Sequence, residues 1–112
     1  MADFTTLIKS SKIQAAYLQR QVTLEEISQN ILSIKTLDQQ NPNSRTFSRL
    51  ESSASKSLEE LKLANRELNL LLIKANPNFS DDESYKTDQK LVREQKFFLY
   101  DEIDKYIQLL HS

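Results

Sequence analysis

Asn41-Pro42-Asn43 and Asn76-Pro77-Asn78 are the stretches on which the reading of the fold turns, and they contain both prolines of the chain. Proline removes a backbone donor and drives its predecessor out of the α region, while asparagine serves caps and turns. Each tripeptide therefore reads as a helix stop followed by a connector, and the two cut the 112 residues into thirds. The residues that follow them, Ser44-Arg45-Thr46-Phe47 and Phe79-Ser80-Asp81-Asp82, share little. The tripeptides are punctuation, not a sequence repeat.

Each third carries apolar residues at helical spacing. In the middle one Phe47, Leu50, Ala54, Leu58, Leu61, Leu68, Leu72 and Ala75 alternate in steps of three and four, with a break at Asn65. This is a coiled-coil-like seam, predicted over about 45–75, with Ser44 as N-cap or a capping box Ser48/Glu51 one turn later. In the last third Tyr85, Val92, Leu99, Ile103, Tyr106 and Leu110 form one stripe. There Ser80 and Glu83 make a capping box, and Asp81 and Asp82 favour the helix dipole, which predicts a helix over about 81–110. The first third holds two stripes. Phe4, Ile8, Ala15, Leu18 and Val22 lie on one, and Ile13, Tyr17, Leu24, Ile27, Ile31 and Ile34 on another. Either one helix runs over about 4–39 with a shifting seam, or a break falls near Val22 and Thr23, where Thr23-Leu24-Glu25-Glu26 is itself a capping box. The absence of proline and glycine there favours the continuous helix.

Short connectors make neighbouring helices antiparallel, so the expected fold is all-α, a single domain over 1–112 built as an up-down-up three-helix bundle about 45 Å long at 1.5 Å per residue. Folding the chain back symmetrically predicts cross-hairpin partners. Between the second and third helices they are Leu72 with Tyr85, Asn65 with Val92, Leu58 with Leu99, Ala54 with Ile103 and Phe47 with Leu110. Between the first and second they include Ile31 with Ala54, Ile27 with Leu58 and Tyr17 with Leu68. An extended parallel coiled coil is disfavoured, because both Asn-Pro-Asn breaks would interrupt it.

Composition excludes more than it identifies. There is no glycine, so a phosphate-cradling loop, a dinucleotide fingerprint and an EF-hand loop are out of reach. There is no cysteine, and the one histidine, His111, is next to last. Disulfides, thiolate zinc sites, thiol nucleophiles and multi-histidine metal centres are excluded within one chain. No catalytic residue, cofactor or metal is assigned, and no enzyme is expected. Residues 1–36 carry four basic and three acidic groups, 37–80 six and five, and 81–112 five and eight. No segment is basic enough to grip a phosphate backbone or a membrane surface. The start Met1-Ala2-Asp3 lacks the glycine that myristoylation needs, and no apolar run approaches about 20 residues. The chain reads as soluble and cytoplasmic.

A bundle core takes one apolar stripe per helix, yet Leu70-Leu71-Leu72-Ile73 and Phe97-Phe98-Leu99-Tyr100 are each four apolar residues in succession. At about 100° per residue they sweep the helix circumference, so some side chains point away from the core. Leu70, Leu71, Ile73, Phe97, Phe98 and Tyr100 are therefore the candidate protein interface. A homo-oligomer, with a dimer favoured, is the expected partner state. The alternative is a monomeric adaptor that takes another protein's amphipathic helix in an inter-helix groove. Other candidates read as surface. The acidic run Asp81-Asp82-Glu83 with Asp88 lacks a calcium loop's glycine and ligand alternation. Asp101, Glu102 and Asp104 point in different directions on a helix. Ser10-Ser11 and Ser52-Ser53-Ala54-Ser55 read as small-residue helix surface. The frequency of Ser, Gln and Asn within the helices predicts a marginal monomer, with folding assisted by association.

The segment Phe47 to Tyr106 resembles the N-terminal helical region of Gag polyproteins from BEL/Pao-type long-terminal-repeat retrotransposons. The features are the start Met-Ala-Asp, Leu7-Ile8-Lys9 leading a long helix, Phe47-Ser48-Arg49-Leu50-Glu51, Leu58-Glu59-Glu60-Leu61, Asn65-Arg66-Glu67-Leu68 and Asp81-Asp82-Glu83-Ser84-Tyr85-Lys86-Thr87-Asp88, ahead of a helix with Phe98 and Tyr106. The chain departs from that pattern in lacking a tryptophan in the second helix. The resemblance implies the first part of an intracellular polyprotein whose later parts build a capsid, with this segment contributing self-association. The apolar run Ile107, Leu109 and Leu110 ends at His111-Ser112 without a helix stop, which is compatible with an N-terminal fragment of something longer or with a small protein that ends in a frayed helix.

Overall fold

The computed structural model describes residues 3–112, and Met1 and Ala2, where the myristoylation reading falls, lie outside the described residues. The regular structure of the described residues is all helical: α1 (Phe4–Leu7), α2 (Ser11–Lys35), α3 (Ser44–Ala75), a 3-10 turn at Phe79–Asp81 and α4 (Glu83–Leu110). The molecule measures 55 × 22 × 16 Å, with a radius of gyration of 16.9 Å. A compact chain of this length would have about 13 Å. The excess follows from three long helices lying along one another.

The first helix departs from the expected span of 4–39. It breaks at Ile8–Ser10, and the chain stays helical through Thr23. A straight helix cannot turn both apolar stripes inward, and the break falls ahead of Ile13, where the second stripe begins, not at the Val22–Thr23 changeover. Asp3 caps α1 by accepting from the Thr6 amide, and Phe4 and Leu7 then bury against the far ends of α3 and α4. Downstream the second stripe wins: Ile13, Ile27 and Ile34 are buried, while Leu18 and Val22 are left exposed. Thr23 is buried too, and its hydroxyl donates to the Arg20 carbonyl one turn back. α2 also stops before residue 39. Thr36 caps it, and the Asp38 carboxylate accepts from the amides of Gln40 and Asn41, turning the chain ahead of Pro42.

The caps differ by one or two residues from those expected. Asn43, not Ser44, caps α3 through the Thr46 amide. Asp82, not Ser80, caps α4, because Phe79–Asp81 winds as a 3-10 turn first. The boxes at Thr23/Glu26 and Ser48/Glu51 lie inside helices. A capping side chain acts only where the chain enters a helix, so the same residues are silent there.

Contacts between helices run in opposed order. Arg20 meets Asn65 and Asn30 meets Ser57, so α3 numbers fall as α2 numbers rise. Asn65 meets Gln89, Asn69 meets Tyr85, and Phe47 stacks on Tyr106 at 4.9 Å. These α3–α4 pairs sit about one turn from the symmetric count, which had opposed Phe47 to Leu110 and Asn65 to Val92. The observed pairs are symmetric about Pro77, whereas the expected ones centre between Asn78 and Phe79. Phe79 buries in one cluster with Leu68 and Leu72. At the opposite end the Tyr106 hydroxyl accepts from the Asn43 amide at 3.0 Å and donates to the Asp38 carbonyl at 3.4 Å, tying the α2–α3 loop to α4.

Tyr106→Phe keeps the ring stack and removes only these loop bonds. It should cost about 1 kcal/mol of unfolding free energy by urea titration. An unchanged midpoint would show that the loop is not held there.

Candidate functional site

Three series spaced by seven build the core: Ile13, Arg20, Ile27, Ile34 on α2; Phe47, Ala54, Leu61, Leu68 on α3; Tyr85, Val92, Leu99, Tyr106 on α4. One member is charged. Arg20 is fully buried and forms a bidentate pair with Asp88, both bonds 2.6 Å. Its guanidinium also donates to Asn65 at 3.3 Å and to Gln21, and lies 5.3 Å from the centre of the Tyr17 ring. Gln89 exchanges amide bonds with Asn65. The result is a polar layer supplied by all three long helices, and it divides the apolar core into two clusters. Beside it the Tyr85 phenol is pushed up by burial and by the Asp88 carboxylate.

The break at Asn65 is visible in the sequence, and it marks this layer. Asp88 belongs to the acidic stretch read as surface, whereas the structure sets its carboxylate on Arg20. Arg20 was missed. Its one signal is a seven-residue spacing from Ile13 and Ile27. Chemically the layer fixes position: the Arg20 guanidinium is shut off from solvent and held by Asp88 and Asn65. A second polar step joins Asn30 to Ser57 at 2.8 Å. It sits at an open groove of about 370 Å³ lined by Glu26, Gln29, Ser53, Lys56 and Glu60. There a hydrogen bond donated by the Glu26 carboxyl to Glu60, with burial and the Glu60 charge, raises the Glu26 carboxyl above the ordinary value.

Asp82 joins the two chain segments at one end. One oxygen caps α4 through the Ser84 amide at 3.0 Å, and the other accepts from the Phe4 amide at 2.5 Å. Those amides, Phe4 first, hold its pKa below the ordinary aspartate value, against opposing effects of desolvation and then of Asp3. Above them Phe4 and Phe79 both pack edge-on against Tyr85.

The expected interface residues fall in two places. Leu70 and Ile73 are about half exposed on α3, beside Phe79, and Leu71 is half-buried against the Leu68/Leu72 cluster. Phe97, Phe98 and Tyr100 are 64%, 51% and 53% exposed on α4. Phe97 lies 12 residues beyond Tyr85, the partner of Asn69, so about 18 Å of helix separates the two groups. The four-residue runs thus form two patches, not one belt. Phe97 and Phe98 pack edge-to-face at 6.3 Å. Phe98 also lines a groove between α2 and α4 with Ser28, Ile31, Lys35 and Gln95, and Tyr100 lines one between α3 and α4 with Leu58, Lys62 and Lys96. Leu91 is exposed as well, one heptad before Phe98, and the sequence reading passed over it.

Among the described residues no helix is long and apolar enough to cross a membrane, and no cluster of three metal-ligating side chains occurs. Comparison with family models, curated proteins and solved structures finds no match to this chain.

Two outcomes are expected. Asp88→Ala strands a buried guanidinium and should cost about 3–5 kcal/mol, whereas Arg20→Met with Asp88→Leu and Asn65→Leu should be neutral or stabilising by urea titration. A smaller loss from Asp88→Ala than from the triple variant would refute the pairing. For Asp82, the depressed pKa contributes stability that is complete above the ordinary value near ~3.9 and is lost as pH falls through the lowered one. The Phe4 and Ser84 amide shifts should titrate together with a midpoint below that value, and a midpoint at or above it would remove Asp82 from the clamp.

Proposed function

We propose that this chain is a non-enzymatic self-association module, its three long helices arranged as an up-down-up bundle with coiled-coil-like seams. The opposed order of the α2–α3 and α3–α4 contacts supports that topology. The observation that carries the assembly reading is an apolar surplus. The core closes on Phe47, Ala54, Leu61, Val92, Leu99 and Tyr106 without Phe97, Phe98 or Tyr100, which stay at least half exposed in adjoining turns of one helix. Large aromatic side chains grouped outside a closed core are what a protein interface uses. Self-association as a dimer, without nucleic acid, membrane or cofactor, is the simplest use of that surface. Such a role accords with the resemblance to the N-terminal helical region of BEL/Pao-type Gag polyproteins, and with residence in the cytoplasm.

The absence of enzymatic activity is supported by the nature of the polar groups. Arg20 pairs with Asp88 and Asn30 with Ser57, although the buried Arg20 Nε has no hydrogen-bond partner, and the sole histidine is exposed at the C-terminal end of α4. A second reading, an adaptor receiving a partner helix, is favoured by the α2–α4 groove, where Leu24, Leu91 and Phe98 alternate with Ser28 and Gln95.

At concentrations too low for association, Phe97→Glu and Phe98→Glu should each change unfolding free energy by no more than about 0.5 kcal/mol, because these positions are exposed on the monomer. Each should lower the mass measured by light scattering while helicity by circular dichroism is kept. If both variants associate like the parent, α4 is not the interface.

A further inference from the structure

The outer face of α4 carries an ordered charge pattern. Lys86, Lys90, Arg93, Phe97, Asp101, Asp104 and Gln108 recur at steps of three and four and form one stripe on the side away from Val92 and Leu99. Three cations precede Phe97, two carboxylates follow it, and all of these residues are exposed except half-buried Asp101. The fold itself gives no reason for this order. Along the stripe, Arg93 and Asp104 form no ion pair among the described residues, and the others have only local partners: Lys86 with Glu83, Lys90 with Glu94 at 4.0 Å, Asp101 with Lys105. Exposed pairs of this kind contribute little and exchange readily. The helix dipole favours the reverse order, acids first and bases last, within its end turns.

We infer that the occupant of this face is a second copy of the same chain, its α4 lying antiparallel across a two-fold axis at Phe97. The inference rests on the self-association proposed above and specifies its geometry. Residues equally distant from the axis then face each other. Arg93 and Asp101 are each four positions from Phe97, Lys90 and Asp104 each seven, so both facing pairs are of opposite charge and occur twice. Phe97 meets its own copy at the centre, with Tyr100 flanking it. Parallel pairing would set every cation on its own copy and every carboxylate on its own. Such a patch is isologous and self-complementary, as a two-fold interface requires, and closes after two copies. Charges around an aromatic centre select register and direction more than affinity.

The test uses two variants of the full chain. Asp101→Lys with Asp104→Lys makes the stripe basic throughout, and Lys90→Glu with Arg93→Glu makes it acidic throughout. Each alone should raise the dimer dissociation constant at least about tenfold by sedimentation, since four facing pairs become like-charged. Mixing the two should restore association as a heterodimer. A chain carrying all four reversals should dimerise like the parent. Spin labels report direction: at Gln108→Cys the two labels should lie about 33 Å apart along the axis, and at Lys96→Cys about 3 Å apart along it. Helicity measured on each variant identifies any loss of fold, and the four-reversal chain carries the test if a two-reversal chain unfolds. A parent dimer with unaltered association in both charge variants, or with close Gln108 labels, overturns this geometry and leaves self-association standing. A parent that stays monomeric at every concentration overturns both.

Discussion

A fully buried guanidinium must find a carboxylate, and this requirement sets the level at which the helices meet. Arg20 on α2 reaches Asp88 on α4 through two bonds of 2.6 Å and touches Asn65 on α3. The surrounding series at Ile13, Ile27, Ile34 and at Phe47, Ala54, Leu61, Leu68 repeat every seven residues. Apolar heptads alone permit slippage by one repeat, because each side chain meets a similar one. With the polar layer in place, a slip would set Arg20 against Leu58 or Leu72 instead of Asn65, and against Gln95, or Asp81 in the 3-10 turn outside α4, instead of Asp88. Leaving that charge unpaired costs several kcal/mol. The layer adds little net stability over an apolar one. Its contribution is to make one register far better than its neighbours.

The ends of the long helices are held by a different device. At one, Asp82 receives the Phe4 amide while it caps α4, and Phe4 and Phe79 close over Tyr85. At the other, Tyr106 stacks on Phe47 and binds the loop backbone. No described residue has positive φ. A chain without glycine cannot end its helices in left-handed caps at low cost. The helix starts are fixed instead by the side chains of Asp3, Asn43 and Asp82, and the loop after α2 by Asp38, all accepting from backbone amides.

How much of this was legible depended on whether the information is periodic. The helical class, the bounds of α3 and the buried series on α3 and α4 follow from spacing, because a stripe three and four residues apart can bury only as a helix. The break at Ile8–Ser10 was not legible from local signals, since no proline or glycine stands there. Its cause is tertiary, the burial of Phe4 and Leu7 against the end of the core. Arg20 was hidden for a related reason. A single arginine looks like surface until a facing carboxylate is known, and Asp88 looked like one more member of an acidic run. The exposed belt was half legible. Four apolar residues in succession cannot all face inward, but only the three-dimensional levels separate Leu70 and Ile73 from Phe97 and Phe98.

The same asymmetry bears on why the outer face of α4 is so apolar. Within the core, specificity comes from Arg20, Asn65 and Asp88, so packing there demands no exposed aromatic. Phe97 at 64% exposure makes little contact with its own chain beyond Phe98. An aromatic residue in water brings no folding gain and adds an aggregation hazard unless something covers it. Placed between cations and carboxylates on one stripe, it acquires a preferred direction of approach. If a second copy covers it as proposed, the inner layer and the outer stripe use one physical strategy at two levels of organisation, apolar burial for adhesion and a few placed charges for register.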